Sequence, residues 1–184
     1  HEQIFNSAKK AGAQELNSKI ILDHLGYNLE KEQADKKMIR NAKLLKKMVK
    51  EKPDSGYAQF TLAQHLALTK NHIKALYHFE KALELKQFSR SMQASLLNCT
   101  AESYIKTGQS SKALPLIEQS LKITKKQIGA VYLKYLIANN NGDISKSIYF
   151  LEKILANVNY LKTNPKVIST DIIPEEYKIL VELG

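Results

Sequence analysis

Tyr57-Ala-Gln-Phe-Thr-Leu-Ala-Gln-His-Leu-Ala-Leu-Thr-Lys-Asn-His-Ile-Lys-Ala-Leu-Tyr-His-Phe-Glu-Lys-Ala-Leu-Glu-Leu85 is echoed downstream by Ser95-Leu-Leu-Asn-Cys-Thr-Ala-Glu-Ser-Tyr-Ile-Lys-Thr-Gly-Gln-Ser-Ser-Lys-Ala-Leu-Pro-Leu-Ile-Glu-Gln-Ser-Leu-Lys-Ile123. Ala63 aligns with Ala101, Lys70 with Gly108, Ala75 with Ala113, Phe79 with Ile117 and Ala82 with Ser120. A third copy puts Gly142-Asp143 at the turn, followed by Ser147, Leu151, Ile154 and Leu155. Gly108 and Gly142 are 34 positions apart, whereas Ala75 and Ala113 are 38 apart. The difference is about one helical turn, and the alignment places it near Gln87–Met92.

This pattern resembles the tetratricopeptide repeat, in which each unit is a helix, a turn and a second helix with a period of about 34 residues. Small residues (Ala63 and Ala75, Ala101 and Ala113) let paired helices approach. A bulky residue and a small one in the second helix pack on the next unit, and the turn glycine takes a conformation other residues resist. In the third unit Tyr135 takes the place of the first small residue and Ser147 that of the second. An unrelated array of helical hairpins is the competing reading. The fold class is all-α: a tetratricopeptide-like helical-hairpin solenoid over 30–160, with units near 30–53, 56–87, 94–125 and 128–158 and a short αβ remnant at the N-terminus.

In the first of these units Met38, Ile39, Ala42, Leu45 and Val49 recur at helical steps, and Pro53-Asp54 ends the helix. This helix reads as the second half of a preceding unit or as an entry cap, since stacked repeats need one. Residues 1–29 do not fit the repeat. Phe5–Gly12 reads as a short helix stopped by Gly12, and Ser18-Lys-Ile-Ile-Leu-Asp-His24 reads as a buried strand. A lone strand cannot stand by itself, so 1–29 reads as the end of another domain. In the tail, 161–184, a capping helix is predicted from Pro174 to about Leu183.

The 184 residues are 43% hydrophobic and 25% charged, which argues against wholesale disorder. One cysteine excludes an internal disulfide framework and a multi-cysteine metal cluster. No apolar run approaches the roughly 20 residues of a membrane span. The first residue is His and no signal-peptide pattern follows, so the sequence reads as part of a longer cytoplasmic protein. The net charge is +10, from 28 basic and 18 acidic residues. Of the basic residues only Arg40 and Arg90 are arginines. Lysine is a hydrated point charge without the fork that reads bases and phosphates, so nucleic acid is disfavoured. Lys36–Lys52 alone carries eight cations (Lys36, Lys37, Arg40, Lys43, Lys46, Lys47, Lys50 and Lys52) against Glu51. That stretch reads either as a solvated outer face or as a basic amphipathic helix that touches phosphates or the membrane periphery.

The junction carries a more specific pattern. His1-Glu-Gln-Ile4 comes first, then a segment ending in His24-Leu-Gly-Tyr27, then Arg40-Asn-Ala-Lys-Leu-Leu45, then Pro53-Asp54 and a repeat unit. This order resembles the end of bacterial family-2 glycosyltransferases that carry a C-terminal tetratricopeptide region. Leu25 departs from it, since an aromatic often stands there in the family. The resemblance covers residues 1–85. It implies a parent enzyme that transfers a sugar from a nucleotide-sugar donor held through a divalent metal and an Asp-x-Asp motif. It also implies that His1 is the late histidine approaching that metal. Aspartates stand only at 23, 35, 54, 143 and 171. This stretch therefore has no Asp-x-Asp, no donor site and no cofactor of its own.

Within the repeats no catalytic residue is expected. His65, His72 and His78 are seven and six residues apart, not the three or four that pair ligands on one helix. Cys99 falls on a packed face and reads as a small hydrophobe. Glu80, Glu84, Glu175 and Glu176 read as ordinary surface acids. The concave groove of such an array is lined by the first helices. Here it would comprise Tyr57, Phe60, Gln64 and Ala67, then Ser95, Asn98, Glu102 and Ile105, then Tyr132, Leu136 and Asn139. Three functions compete. One is a non-catalytic scaffold of a glycosyltransferase that positions a protein or peptide acceptor or supports a homodimer. Another is a free-standing adaptor clasping a peptide in the groove. The last is a basic surface binder acting through Lys36–Lys52.

Overall fold

The computed structural model describes residues 8, 10–14, 31–123, 125 and 127–163. Every regular element among the described residues is helical: α1 Lys31–Glu51, α2 Gly56–Leu68, α3 His72–Leu85, α4 Arg90–Lys106, α5 Ser110–Ile123, α6 Ile128–Asn140 and α7 Ile144–Thr163. Compactness divides the chain into two units, His1–Lys37 and Met38–Gly184. In the first, a helical turn closes where Gly12 takes a φ of +83° and the Ala13 N–H donates to the Ala8 carbonyl at 3.0 Å. The sequence places a helix stop at this glycine. The strand read into Ser18–His24, the helix read into Pro174–Leu183, and His1 lie outside the described residues.

The second unit is built from antiparallel hairpins, α2 on α3, α4 on α5 and α6 on α7, each packed on the next. All three hairpins turn the same way. The Asn71 N–H reaches the Leu66 carbonyl at 2.8 Å, and the Lys70 N–H reaches Ala67 at 2.8 Å. Gln109 bonds Tyr104 at 2.8 Å and Gly108 bonds Ile105 at 3.0 Å; Asp143 bonds Ala138 at 2.9 Å and Gly142 bonds Asn139 at 3.0 Å. This is the Schellman arrangement, which satisfies the last carbonyls of a helix through one left-handed residue. That residue is Lys70, Gly108 or Gly142, with φ of 61°, 75° and 70°.

Helix α4 has 17 residues against 13 in α2 and α6, and all three end two residues before the left-handed position. The four extra residues therefore form the first turn of α4, which accounts for the 38-residue spacing. Three clusters make the core. Phe60, Ala63, Ala75, Phe79, Ala82 and Leu96 close the first hairpin on α4. Ala101, Ile105, Ala113, Ile117, Ala130, Leu133 and Ile137 close the second on α6. Ile128, Val131, Tyr132, Ile154 and Val158 join α6 to α7. A side chain buried as fully as Phe79 stabilises by about 3–5 kcal/mol relative to alanine.

Glutamines stitch the hairpins together. Gln87 accepts from the Gly56 N–H at 2.8 Å and donates to the Asp54 carbonyl at 2.9 Å. Gly56 permits the approach, because a Cβ there would lie 3.1 Å from the Phe88 ring. Buried Gln127 donates to the Ser120 carbonyl at 2.7 Å and accepts from Asn98 Nδ2 at 2.8 Å. The polar Ser120, where the first unit has Ala82, is thereby satisfied: its hydroxyl lies 3.2 Å from the Ala94 carbonyl and 3.1 Å from Gln127 Oε1.

Helix α1 differs from the rest. The sequence reads it as the second helix of a preceding half-unit or as an entry cap, and none of its described residues is fully buried. Met38, Ala42, Leu45, Met48 and Val49 are half-buried. Ile39, counted on the apolar face in the sequence, points outward and is 60% exposed. At a step of four it shares a face with Lys43 rather than with Leu45.

The turn geometry makes opposite substitutions informative. A Cβ at Gly108 meets nothing within 4 Å, so Gly108→Ala should cost about 1 kcal/mol through backbone conformation alone. Lys70→Gly, at the equivalent position, should be neutral or stabilising by up to about 1 kcal/mol, because it removes the same penalty. Urea unfolding of both variants measures this. A loss on Lys70→Gly would mean that its side chain, not its backbone, matters.

Candidate binding cleft

The first residues of α2 and α4 hold the hairpins together, and their later turns open a cleft. The Ser55 side chain caps α2 and that of Ser89 caps α4, each accepting from a first-turn N–H. Beyond those caps, helical steps bring Gln64, Ala67 and Leu68 of α2 opposite Cys99, Glu102 and Lys106 of α4. His72 and Phe79 of α3 complete a cleft of about 320 Å³. Its walls are mainly apolar, with Gln64, His72, Glu102 and Lys106 as polar groups.

Of the groove predicted from sequence, Gln64, Ala67 and Glu102 meet here. Phe60, Ile105 and Tyr132 do not line a surface: they are 5%, 6% and 4% exposed and belong to the core clusters. Their apolar, helical-step positions suit a core as well as a groove wall, and the core takes them. Leu136 is half-buried against the second and third clusters. Asn98 is committed to Gln127, and its Oδ1 is buried without a partner. Tyr57 and Ser95 are half-buried and Asn139 is exposed. Leu68, Lys106 and His72 line the cleft and were not predicted. The signal was present: Leu68 and Lys106 follow Gln64 and Glu102 by one helical turn each.

Cys99 sits in the cleft wall, half-buried. Burial first, and the Glu102 carboxylate second, push its thiol up to about 12, against hydrogen bonds from Gln64 and Ser95. It is held as an inert thiol, not a nucleophile. His72 Nδ1 lies 3.4 Å from Ser103 Oγ. Burial and Lys106 hold its pKa below the ordinary 6.5, with Glu102 opposing. His78 Nδ1 lies 2.7 Å from Gln59 Oε1, and Gln59 Nε2 donates to the Pro53 carbonyl at 2.7 Å. The oxygen of Gln59 is therefore the acceptor, and His78 carries its proton on Nδ1. Burial, with Lys81, lowers its pKa too.

A second cleft of about 300 Å³ lies among α5, α6 and α7, where Lys134 pairs with Glu118 at 2.5 Å. On α1, Lys36, Arg40, Lys43, Lys47 and Lys50 are exposed and Lys37 is half-buried. Lys36 pairs with Glu32 at 2.6 Å and Lys47 with Glu51 at 3.7 Å. Among the described residues no three His, Cys, Asp or Glu side chains could hold a metal ion, and no helix is long and apolar enough to cross a membrane. Asp35 and Asp54 are exposed, and Asp143 caps α7 and pairs with Lys146 at 2.7 Å. These residues do not fit a metal-held nucleotide-sugar. The chain matches no protein-family model and no curated protein.

Two measurements test this site. With a thiol pKa near 12, alkylation of Cys99 at pH 8 should run about a thousandfold slower than in an unfolded peptide. It should become fast in urea; a native rate within tenfold of the peptide would contradict the assignment. For the histidines, the unfolded chain takes up protons near 6.5 while the folded chain resists. Stability should therefore fall as pH drops from about 7 through their lowered folded values. The urea midpoint should shift downward over that window, and His72→Gln with His78→Asn should flatten the slope.

Proposed function

We propose that this chain is a non-catalytic interaction domain of the tetratricopeptide type, in which the cleft between α2 and α4 holds an extended segment of a protein partner. The observation that supports it is the threefold recurrence of one cap, centred on Lys70, Gly108 and Gly142. Recurrent hairpins of this kind present first helices side by side, and such surfaces bind peptides. An apolar floor with a few polar groups at the rim suits backbone and side-chain contacts from an extended ligand. The Glu102 carboxylate in the cleft wall favours a ligand with a basic or hydrogen-bond-donating group.

The order of His1-Glu-Gln-Ile4, His24-Leu-Gly-Tyr27 and Arg40-Asn-Ala-Lys-Leu-Leu45 ahead of the repeats supports placing this domain in a bacterial, cytoplasmic family-2 glycosyltransferase. There it would position the acceptor or aid dimerisation. The metal and the nucleotide-sugar would belong to residues outside this stretch. The source gene tests this directly. A nucleotide-sugar domain with an Asp-x-Asp encoded upstream of His1 is expected, and its absence would leave a free-standing adaptor.

The cleft is tested by selecting peptides from a displayed library on the native protein and measuring them on an Ala67→Arg, Glu102→Lys variant. Ala67 is half-buried against the first core cluster and Glu102 is half-buried, so circular dichroism and urea unfolding check that the variant keeps its fold, and Glu102→Lys alone is measured beside it. Affinity is expected to fall at least tenfold. Equal binding to both proteins would remove the cleft as the site.

A further inference from the structure

Between Met38 and Glu51, helix α1 carries Arg40, Lys43, Lys46, Lys47 and Lys50, all exposed, against one acid, Glu51. Arg40, Lys43, Lys47 and Lys50 succeed one another at steps of three and four and so form one stripe along the helix. Only Lys47 has an ion-pair partner among the described residues, Glu51 at 3.7 Å with both side chains mostly exposed, and such a pair neutralises little. Apolar side chains border this cationic stripe, one on each edge. Ile39 is 60% exposed and lies one turn from Lys43; Leu44 is 58% exposed and lies one turn from Arg40. An exposed isoleucine or leucine alone means nothing. Here two of them border the densest positive charge of the chain, on a helix none of whose described side chains is fully buried.

The pairing selects the partner. Nucleic acid would neutralise the lysines but would not reward burying Ile39 and Leu44, and the stripe offers one arginine for phosphate forks. An anionic bilayer rewards both: its head groups attract the cations, and its acyl boundary accepts short apolar side chains. We propose that the 39–50 face of α1 docks this protein reversibly on an anionic lipid surface. This goes beyond the cleft reading and rests on a different helix. Each cation near such a surface strengthens binding about fivefold. The attraction decays over a Debye length, about 8 Å at physiological salt, so docking is sensitive to ionic strength.

The test is co-sedimentation of the 184-residue chain with phosphatidylcholine vesicles, with and without phosphatidylserine. Binding is expected to the anionic vesicles alone and to fade as salt rises. Lys43→Gln, Lys47→Gln and Lys50→Gln together should weaken it about 100-fold with helicity retained in circular dichroism. Ile39→Ser with Leu44→Ser should weaken vesicle binding several-fold and leave binding to a DNA duplex unchanged. The Ala67→Arg, Glu102→Lys variant should still sediment, which separates this surface from the cleft. Failure to sediment with anionic vesicles at low ionic strength overturns the proposal. So does vesicle binding indifferent to the loss of Ile39 and Leu44, which would leave a bare polycation whose partner is nucleic acid.

Discussion

The close approach of paired helices at alanine is the constraint on which the rest of the second unit depends. Ala63 with Ala75, and Ala101 with Ala113, are wholly buried, each pair within a single core cluster. A larger side chain at these points would push the hairpin open, and Phe79 or Ile117 would lose the walls that enclose it. Tight hairpins in turn require tight turns, and the Schellman caps supply them by folding the last carbonyls back into hydrogen bonds. Residue size and turn conformation thus act together. The alanines allow the helices to meet, and the left-handed residue starts the second helix where it can meet the first.

The third hairpin shows what happens when the small residues are replaced. Tyr135 stands where the others have alanine, and it is only half-buried. Its ring lies 5.7 Å from that of Tyr132, tilted by 36°. Ser147 takes the second small position, and its hydroxyl donates to the Asp143 carbonyl at 2.8 Å. The hairpin is kept because the turn is kept: Gly142 holds the same conformation as Gly108. Cap and packing are therefore partly independent supports, and one survives when the other degenerates.

The helices, the turns and the one-turn insertion were legible because they depend on local properties: apolar spacing, small residues and a glycine. The insertion follows from Gly108 and Gly142 against Ala75 and Ala113, and it lengthens α4 by one turn at its start. The cleft was legible only in part. Gln64, Ala67 and Glu102 were placed by repeat position, but the same rule also chose Phe60, Ile105 and Tyr132, which are core. Whether an apolar residue at the edge of a helix face is wall or core depends on the neighbouring helix, which no local pattern encodes. Gln59, Gln87 and Gln127 were missed for a related reason. A polar residue is read as exposed unless its long-range partner is known, and their partners are carbonyls and side chains brought near by the fold.

Charge and core are distributed between different parts of the chain, and that separation bears on function. Helices α2 to α7 supply every buried apolar side chain of the described core, while α1 supplies none and carries the strongest run of positive charge. A lysine-rich helix that contributed to the core would hold its cations in place to support the fold. One outside it leaves them available, and its charge does not compete with packing. The cleft between α2 and α4 has the opposite character, with an apolar floor and one carboxylate beside one ammonium. A basic ligand segment suited to Glu102 would be repelled by the α1 stripe. An anionic surface suited to that stripe would gain little from the cleft. The two proposals thus call for ligands of opposite charge, a basic segment at the cleft and an anionic surface at α1.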